Sequence, residues 1–398
     1  MSMRSVTISE GIEWVGAIDW NLADFHGYET PRGSTYNAYL VRGEKTALVD
    51  TVKLPFVDEL LDRVRTVMDP ADVDYIVVNH VEPDHNGGLR AVMDAMPNAK
   101  VVASRAGVLG VAEYHDGLAI DTVGADDVID LGGRTLRFLP MSMVHWPDSM
   151  FSYCPEDSVL MPNDAFGQHM ASAERFADEV GLELALEELS IYYANILMPL
   201  GKMVAKAVTK VVETGWDIKV IAPSHGVGWR GDDIGAMLAR YASHTAGETR
   251  DKIVVVYSTM WGSTDILGRA IADGVAAEGT EVEVFDLAQA SLATITHQLL
   301  DARALLLGSP TLHHGMLYRV AGYLQYLSGL KPKDMIAGTF GSYGWSSGAT
   351  KQMDERLQGM GFEMPFESFT QKYRPTANDI SAAREWGAQF AAAVKERG

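Results

Sequence analysis

The sequence predicts an α/β protein whose C-terminal part is a doubly wound parallel sheet of about five strands. From Lys252 onward a strand–loop–helix pattern repeats, and the first strand, Lys252–Tyr257, is rich in β-branched residues, which is typical of a strand buried on both faces. Further strands are expected at 281–285, 304–307 and 335–340, with helices between them. In the N-terminal part, several apolar strands instead end at a histidine or an acidic residue.

Composition and charge are those of a globular protein of two or three domains. The 398 residues are 47% hydrophobic and 22% charged, which is ordinary for this class. A formal net charge of -20 would repel nucleic acid, so we expect no nucleic-acid partner. No apolar run reaches the length of a membrane span, and the first residues lack a signal pattern. We therefore expect no membrane association and a cytoplasmic location.

Cys154 is the only cysteine in the chain. This excludes an intrachain disulfide and any four-cysteine zinc, rubredoxin or iron–sulfur centre built from one chain. It also agrees with a reducing compartment. If the protein performs redox chemistry, its electrons must come from an external donor.

The N-terminal part begins with short strands separated by turns. Two apolar runs, 36–41 and 46–50, flank Arg42-Gly43-Glu44-Lys45, which predicts a β-hairpin. A helix with one apolar face is expected over 56–68. Further along, the polar, turn-rich stretch 243–251 is expected to be a linker.

Four potential metal ligands lie within six residues: His80, Glu82, Asp84 and His85. They directly follow an apolar run that predicts a buried strand, so they occupy the loop at a strand end. Irregular backbone there allows adjacent and alternate side chains to converge on one point, which a straight strand would not. Mixed imidazole and carboxylate donors indicate a borderline-to-hard metal.

Three more strand ends supply a side chain of the same kind. His145, Asp164 and His225 each follow an apolar run that predicts a strand. If the strands share a sheet edge, these side chains meet the first four in one pocket. The recurrence favours a metal site over a set of solvated strand ends.

Three loops follow strands of the C-terminal part. Ser258–Thr264 carries four hydroxyls and a glycine just before a helix, where backbone N–H groups and the helix dipole favour an anion. Neither a G-x-G-x-x-G motif nor a Walker lysine is present, so a monophosphate such as that of FMN is favoured. The other two loops are rich in glycine and aromatic residues, and Tyr343 and Trp345 are expected to flank the flavin ring. The expected FMN contacts are Ser258, Thr259, Met260, Trp261, Gly262, Ser263, Thr264, Pro310, Thr311, Leu312, His313, Gly341, Ser342, Tyr343, Gly344, Trp345, Ser346 and Gly348.

Together these motifs resemble the flavodiiron proteins. Zinc hydrolases of the metallo-β-lactamase fold usually carry H-x-H-x-D-H, whereas this chain has Glu82 at the second position. The phrases 145–151, 162–169 and 222–226 resemble the flavodiiron pattern, and the C-terminal part resembles flavodoxin. The resemblance implies a metallo-β-lactamase-like αββα sandwich over residues 1–249 and a flavodoxin-like FMN-binding domain over 250–398.

The resemblance also implies how two iron ions are held. His80, Glu82 and His145 are expected on one iron, Asp84, His85 and His225 on the other, and Asp164 between both. In some family members the histidine matching His85 is turned away from the metal. A carboxylate in place of a histidine favours iron over zinc.

The activity implied is reduction of dioxygen to water, of nitric oxide to nitrous oxide, or of both. FMN would pass electrons to the irons from rubredoxin or a reduced deazaflavin coenzyme. A head-to-tail homodimer, or a dimer of such dimers, would pair each flavin with the irons of the other chain. The alternatives are a metal-dependent hydrolase with an appended flavodoxin domain and a flavin electron carrier with an inert metallo-domain.

A few further residues are candidates for contacts around the cofactors. His26, Trp146 and Tyr193 are candidates for contacting the metal ligands, although packing roles are equally open for them. His313-His314 stands where family members often carry Asn-Asn, which leaves the contacts to the flavin ring open.

Overall fold

The computed structural model describes residues 3–332 and 334–397. The chain divides into two compact units. The first comprises the residues up to Tyr192 together with Leu200–Ala242. The second comprises Tyr193–Pro199 and the residues from Ser243 onward.

Strands dominate the first unit. In chain order they are β1 (Val6–Ser9), β2 (Ile12–Trp14), β3 (Ala17–Asp19), β4 (Asp24–Phe25), β5 (Tyr28–Glu29), β6 (Ser34–Tyr36), β7 (Tyr39–Arg42), β8 (Thr46–Val49), β9 (Tyr75–Val78), β10 (Lys100–Ala103), β11 (Ile120–Thr122), β12 (Val128–Asp130), β13 (Thr135–Pro140), β14 (Met150–Cys154), β15 (Val159–Met161), β16 (Val220–Ile221) and β17 (Trp229–Arg230). One sheet has the order β1-β2-β7-β8-β9-β10-β11 and the other β12-β13-β14-β15-β16-β17. The pairs β3–β6 and β4–β5 form two small separate sheets.

The two larger sheets pack face to face. Their apolar side chains form one buried core, to which Val77 and Val102 contribute from the first sheet and Phe138 and Val159 from the second. Alternate residues of a strand point to opposite faces, so Ile76 and Val101 lie in a separate core on the outer face of the first sheet. Burial on both faces explains why these strands read as continuous apolar runs.

Helices of the chain up to residue 246 are α1 (Val57–Arg65), α2 (Pro83–Asn86), α3 (Leu89–Ala95), α4 (Arg105–Tyr114), α5 (Ala177–Val180), α6 (Leu182–Tyr192), α7 (Gly201–Glu213) and α8 (Asp233–Ala246). The outer core of the first sheet is covered by apolar residues of α1, α3 and α4, such as Leu60, Leu89 and Val111. A π-helical turn, Tyr193–Leu197, follows α6.

Several predicted elements are confirmed and two need correction. The hairpin is formed by β7 and β8, which pair antiparallel. The run 36–41 is not one strand, because Asn37 and Ala38 interrupt it and their backbone groups bond to other segments, such as Val15. The expected linker 243–251 is wrong in its first part, since α8 continues to Ala246.

The second unit is the predicted parallel sheet of five strands. These are β18 (Lys252–Tyr257), β19 (Glu281–Asp286), β20 (Ala304–Gly308), β21 (Ile336–Tyr343) and β22 (Phe369–Lys372). Their order is β19-β18-β20-β21-β22, and every neighbouring pair is parallel. The helices are α9 (Ser263–Ala277), α10 (Leu292–Leu299), α11 (Tyr318–Leu330), α12 (Ala349–Gly359) and α13 (Ala377–Glu396).

Helices cover both faces of this sheet. Residues of α9 and α13 pack on one face, and residues of α10, α11 and α12 on the other. The carboxyl ends of the strands are left open at one edge, where ligands bind in such folds. The edge strand β22 has no strong apolar pattern, and sequence reasoning did not locate it. Within the described part of the chain, no helix combines the length and apolar character needed to cross a bilayer.

Candidate metal centre and flavin pocket

The predicted metal ligands converge at one edge of the first unit. β9 ends at Val78, and the short helix α2 then carries Asp84 and His85 back toward the strand end. β15 ends at Met161, and Asn163 adopts a left-handed conformation with φ 52° that turns the chain before Asp164. Asparagine tolerates this conformation better than most residues.

The remaining ligands follow β13 and β16. His145 lies in the loop between β13 and β14, and His225 lies after β16. Gly226 follows with φ 73°, and a Cβ there would lie 1.7 Å from Oε1 of Gln168. Only glycine fits this position, because both the backbone conformation and the space exclude a side chain.

The seven side chains form two adjacent groups. One contains His80, Glu82, His145 and Asp164, and the other contains Asp84, His85 and His225. Within each group the potential donor atoms lie within 4.8 Å of one another. All seven side chains are buried or nearly so.

Asp164 faces both groups with different oxygens. Its Oδ2 lies 3.2 Å from Nε2 of His145 and 3.5 Å from Nε2 of His80. Its Oδ1 lies 3.0 Å from Nε2 of His85 and 3.4 Å from Nε2 of His225. The His85 ring therefore points toward the cluster and is not turned away from it.

These distances fit ligands that share a metal ion. Two donors bound at about 2.1 Å to one cation lie roughly 3 Å apart. Both carboxylate oxygens of Asp84, Oδ2 of Asp164 and Nε2 of His85 are buried without a hydrogen bond of good geometry. Buried polar atoms of this kind are rare unless a metal or another ligand satisfies them. The donor set therefore fits two metal ions.

Opposite charges compensate one another within the cluster. Burial alone would lower the pKa of His80, but its hydrogen bonds to Asp148 and Glu82 outweigh burial and raise the pKa to about 10. Burial would raise the pKa of Glu82, but His145, His26 and His80 hold the pKa of this carboxyl below its usual range. Three carboxylates thus favour positive charge at the imidazoles, and a metal cation supplies such charge when it replaces their protons.

Hydrogen bonds outside the donor set orient the ligands. Asp148 Oδ2 lies 2.8 Å from Nδ1 of His80 and also accepts a hydrogen bond from the Val81 N–H. Nδ1 of His225 lies 2.7 Å from the carbonyl oxygen of Thr35. In both rings the bond at Nδ1 leaves Nε2 facing the cluster, as metal-binding histidines require. Sequence reasoning gave Asp148 no role, since only its contact with His80 reveals one.

The three candidates for contacts to the ligands lie in different places. His26 is in the site, with Nε2 2.9 Å from Oε1 of Glu82 and about half of its side chain exposed. The Trp146 ring stands edge-on to the His80 ring at 5.1 Å. The ring of Tyr193 lies 5.1 Å from His244 in the second unit, and a role for it near the metals stays a prediction.

An aromatic wall borders the second ligand group. The ring of His169 lies 4.8 Å from His225, 4.4 Å from Phe25 and 5.0 Å from Tyr192. Burial and the neighbouring His225 hold the pKa of His169 well below its usual range. Sequence reasoning did not find Phe25, which is distant in sequence from the ligand motifs.

The second unit has a pocket of about 1070 Å³ at the carboxyl edge of its sheet. Of the expected FMN contacts, it is lined by Met260, Trp261, Ser263, Pro310, Thr311, Leu312, His313, Ser342, Tyr343, Gly344, Trp345 and Ser346. Ser258, Thr259, Gly262, Thr264, Gly341 and Gly348 are not part of the lining. Ile266, His314, Tyr373 and Arg374 line the pocket and were not predicted.

Two of the expected FMN contacts that do not line the pocket, Thr264 and Gly262, still support it. Thr264 Oγ1 lies 3.0 Å from Ser342 Oγ and so connects the first and third loops. Gly262 precedes α9 with φ 83° and no side chain caps this helix, so the N–H groups of the first turn are available to an anion. A phosphate fits this helix end, and the rings of Trp261 and Trp345, which are 92% and 88% exposed, line the pocket together with Tyr343 and offer apolar surface to a flat ring.

A chain that combines a two-metal centre with a flavin pocket is a metal-dependent flavoprotein. The family model described as "ODP family beta lactamase" matches residues 35–226, and the flavodoxin model matches residues 255–387. The chain is 41% identical to the nitric oxide reductase of Moorella thermoacetica, over 99% of this chain and 100% of that one.

Two solved structures superpose closely on it. The rubredoxin oxygen:oxidoreductase of Desulfovibrio gigas gives a TM-score of 0.95 at 38% identity, with 99% of both chains covered. The flavodiiron protein of Giardia intestinalis gives 0.94 at 32% identity, covering 100% of this chain and 99% of that one. The chain belongs to the flavodiiron protein family.

Family membership confirms the predicted class. The chain is an oxidoreductase with a β-lactamase-like N-terminal domain and a flavodoxin-like domain, and its cofactors are FMN and two non-haem iron ions. The hydrolase alternative is not supported. The boundary between residues 249 and 250 stays a prediction.

Proposed function

We propose that the protein reduces dioxygen to water, nitric oxide to nitrous oxide, or both, at the seven-ligand cluster. The names of the relatives support these substrates, because one is a nitric oxide reductase and another a rubredoxin oxygen:oxidoreductase. Reduction of one dioxygen to two waters takes four electrons and four protons. Reduction of two nitric oxide molecules to nitrous oxide and one water takes two of each.

One observation carries the proposal: Asp164 directs one oxygen to each of the two ligand groups. A carboxylate in this position could serve as a ligand to two neighbouring metal ions, and such a pair would offer adjacent sites to a diatomic substrate. When bound, two ferrous ions and one reduced FMN supply four electrons together, enough to convert dioxygen to water without releasing peroxide.

The side chains around the cluster hold protons and exclude water. The Glu82 carboxylate, the largest influence, raises the pKa of His26 above its ordinary value despite partial burial. Since His26 is half exposed and lies 2.9 Å from Glu82, its Nε2–H is suited to carry protons from solvent to the site. Next to His26, whose ring lies 4.1 Å from that of Phe25, Phe25, Tyr192 and the neutral His169 form an apolar border of the site.

The ligand roles follow from the two groups. We assign His80, Glu82 and His145 to one iron, Asp84, His85 and His225 to the other, and Asp164 to both. Rubredoxin, named in a relative, is our proposed electron donor, with a reduced deazaflavin coenzyme as the alternative. A head-to-tail homodimer in the cytoplasm completes the proposal.

The test begins with counting iron and FMN, followed by anaerobic stopped-flow mixing of the reduced protein with each gas. We expect about two irons and one FMN per chain, and flavin reoxidation by at least one gas at the rate of turnover. The His80→Asn variant should lose reoxidation while retaining FMN. His297→Asn, a histidine on α10 outside the cluster, is the matched control.

Two results would overturn the proposal. Zinc in place of iron would point to hydrolysis, and rapid reoxidation that survives His80→Asn would point to a flavin carrier. The rates at which rubredoxin and a reduced deazaflavin coenzyme reduce the FMN of the protein are compared in the same stopped-flow apparatus. For the homodimer, mixing chains that lack metal with chains that lack FMN should restore activity only if electrons pass between chains.

A further inference from the structure

The segment after β22 forms a wall of the flavin pocket that no sequence motif indicated. Tyr343 at the end of β21 lies opposite Lys372 at the end of β22. The Tyr373 N–H donates to the Tyr343 carbonyl at 2.7 Å and so extends the pairing by one residue. Tyr373 then adopts φ 57°, which turns the chain and brings Arg374 into the pocket lining.

Charge in this pocket differs from that of the chain as a whole. The protein carries a formal charge of -20, yet the lining contains no aspartate or glutamate among the described residues, and Arg374 is its one permanently charged side chain. Lys372 stands close by, with Nζ 5.6 Å from the centre of the Tyr373 ring.

The nearest acidic side chain on the adjoining helix is already paired. Asp265, in the first turn of α9, accepts a hydrogen bond from the Tyr257 hydroxyl and lies 2.9 Å from Nε of Arg269. Its negative charge is therefore paired with the positive charge of Arg269. The aromatic lining residues Trp261, Trp345 and Tyr373 carry no charge that would offset that of Arg374.

We propose that Arg374, assisted by Lys372, stabilises the reduced flavin ring electrostatically and raises its reduction potential. An external reductant adds two electrons to the neutral oxidised ring, and uptake of one proton leaves a reduced ring with one negative charge. A guanidinium in the wall of the pocket stabilises the charged product and has little effect on the neutral starting form. The inference rests on FMN occupying this pocket, which is part of the proposed function.

The test is the reduction potential of the FMN-loaded protein, titrated with dithionite against indicator dyes. Arg374→Gln should lower the equilibrium constant for reduction about tenfold, which is about 30 mV for a two-electron couple. Arg374→Lys keeps the charge and should stay near the original potential. Because the side chain is exposed, the difference should shrink at 1 M salt.

Arg356→Gln is the matched control, because it makes the same change in net charge. Arg356 is exposed on α12 and does not line the pocket. Equal shifts for Arg374→Gln and Arg356→Gln would overturn the proposal, as would Arg374→Lys behaving like Arg374→Gln. If Arg374→Gln fails to retain FMN, Lys372→Gln must show a smaller shift of the same sign, and no shift would overturn the proposal. FMN content is measured first, because an unmodified protein without FMN would contradict the flavin pocket itself.

Discussion

Seven ionisable side chains face one another at the metal centre, whereas the flavin pocket is lined mainly by aromatic, hydroxyl and aliphatic side chains, with two histidines and a single guanidinium. The metal ligands are buried, while Trp261 and Trp345 at the flavin pocket are almost fully exposed. We therefore expect charge to dominate binding at the first site, and the shape of the pocket to dominate at the second.

This difference determines which changes each site tolerates. Removing one charge from the metal centre leaves the remaining buried charges uncompensated, which is costly. The flavin pocket should withstand side-chain changes better and respond most to a change that displaces its loops. Substitutions in each site, and at one buried carboxylate outside both, test this contrast.

The largest effect is expected for Asp164→Asn, which keeps the size of the side chain and removes its charge. Because Asp164 contacts both ligand groups, iron content and gas reduction should fall by at least about 100-fold, with FMN retained. Asp121→Asn, an exposed position on β11, is the control. Retention of both irons would contradict the bridging role.

A smaller loss is expected for Asp148→Asn, which weakens the support of His80 without removing a ligand. Resistance of the bound iron to a chelator should fall about 10- to 100-fold. Asp148→Glu should lose part of this resistance, since the longer side chain cannot keep both 2.8 Å contacts. Iron release at the original rate in Asp148→Asn would show that the loop alone orients His80.

The flavin pocket should respond to Gly341→Ala. A Cβ at Gly341 would lie 2.3 Å from the Ser309 carbonyl oxygen, so the two flavin loops must move apart. Overpacking of about 1–3 kcal/mol corresponds to roughly 5- to 150-fold weaker FMN binding, with unchanged iron content. Gly322→Ala on α11, where a Cβ meets nothing within 4 Å, should bind FMN normally. Equal FMN affinity in the two variants would refute the shape argument.

The smallest effect concerns Glu188 on α6, a buried carboxylate with one basic partner, Arg32, at 2.8 Å. Burial raises the pKa of Glu188 from 4.5 to about 7, which Arg32 only partly opposes. Between these values the folded state binds a proton that the unfolded state has released, so stability falls as the pH rises and is then constant.

In the unmodified protein, the free energy of unfolding should therefore decrease by about 1–3 kcal/mol between pH 5 and pH 8. This decrease should be absent in Glu188→Gln. Urea unfolding of both proteins at the two pH values measures this difference. The same decrease in both proteins would mean that Glu188 ionises normally. At the metal centre, several histidines hold the pKa values of the buried carboxyl groups low. The raised pKa of Glu188 shows that a single basic partner does not compensate for burial.

Residue types and their spacing in the sequence were sufficient to predict the candidate ligand groups and the two-part organisation. Four of the candidate metal ligands are close in sequence because they lie in one loop at a strand end. Their imidazole and carboxylate groups are typical metal donors. The run from His80 to His85 and the isolated His145, Asp164 and His225 were all brought together as predicted. The alternation of strands and helices after Lys252 likewise determined the parallel sheet.

Which other residues lie at these sites depends on the tertiary structure. The contact of Asp148 with His80, and the aromatic wall of Phe25, His169 and Tyr192, arise from the packing of segments that are distant in sequence. Arg374 enters the flavin pocket because β22 pairs with β21, and an edge strand without an apolar pattern leaves little trace in sequence. Local sequence encodes chemistry and periodicity, whereas contacts between distant segments depend on how the elements pack.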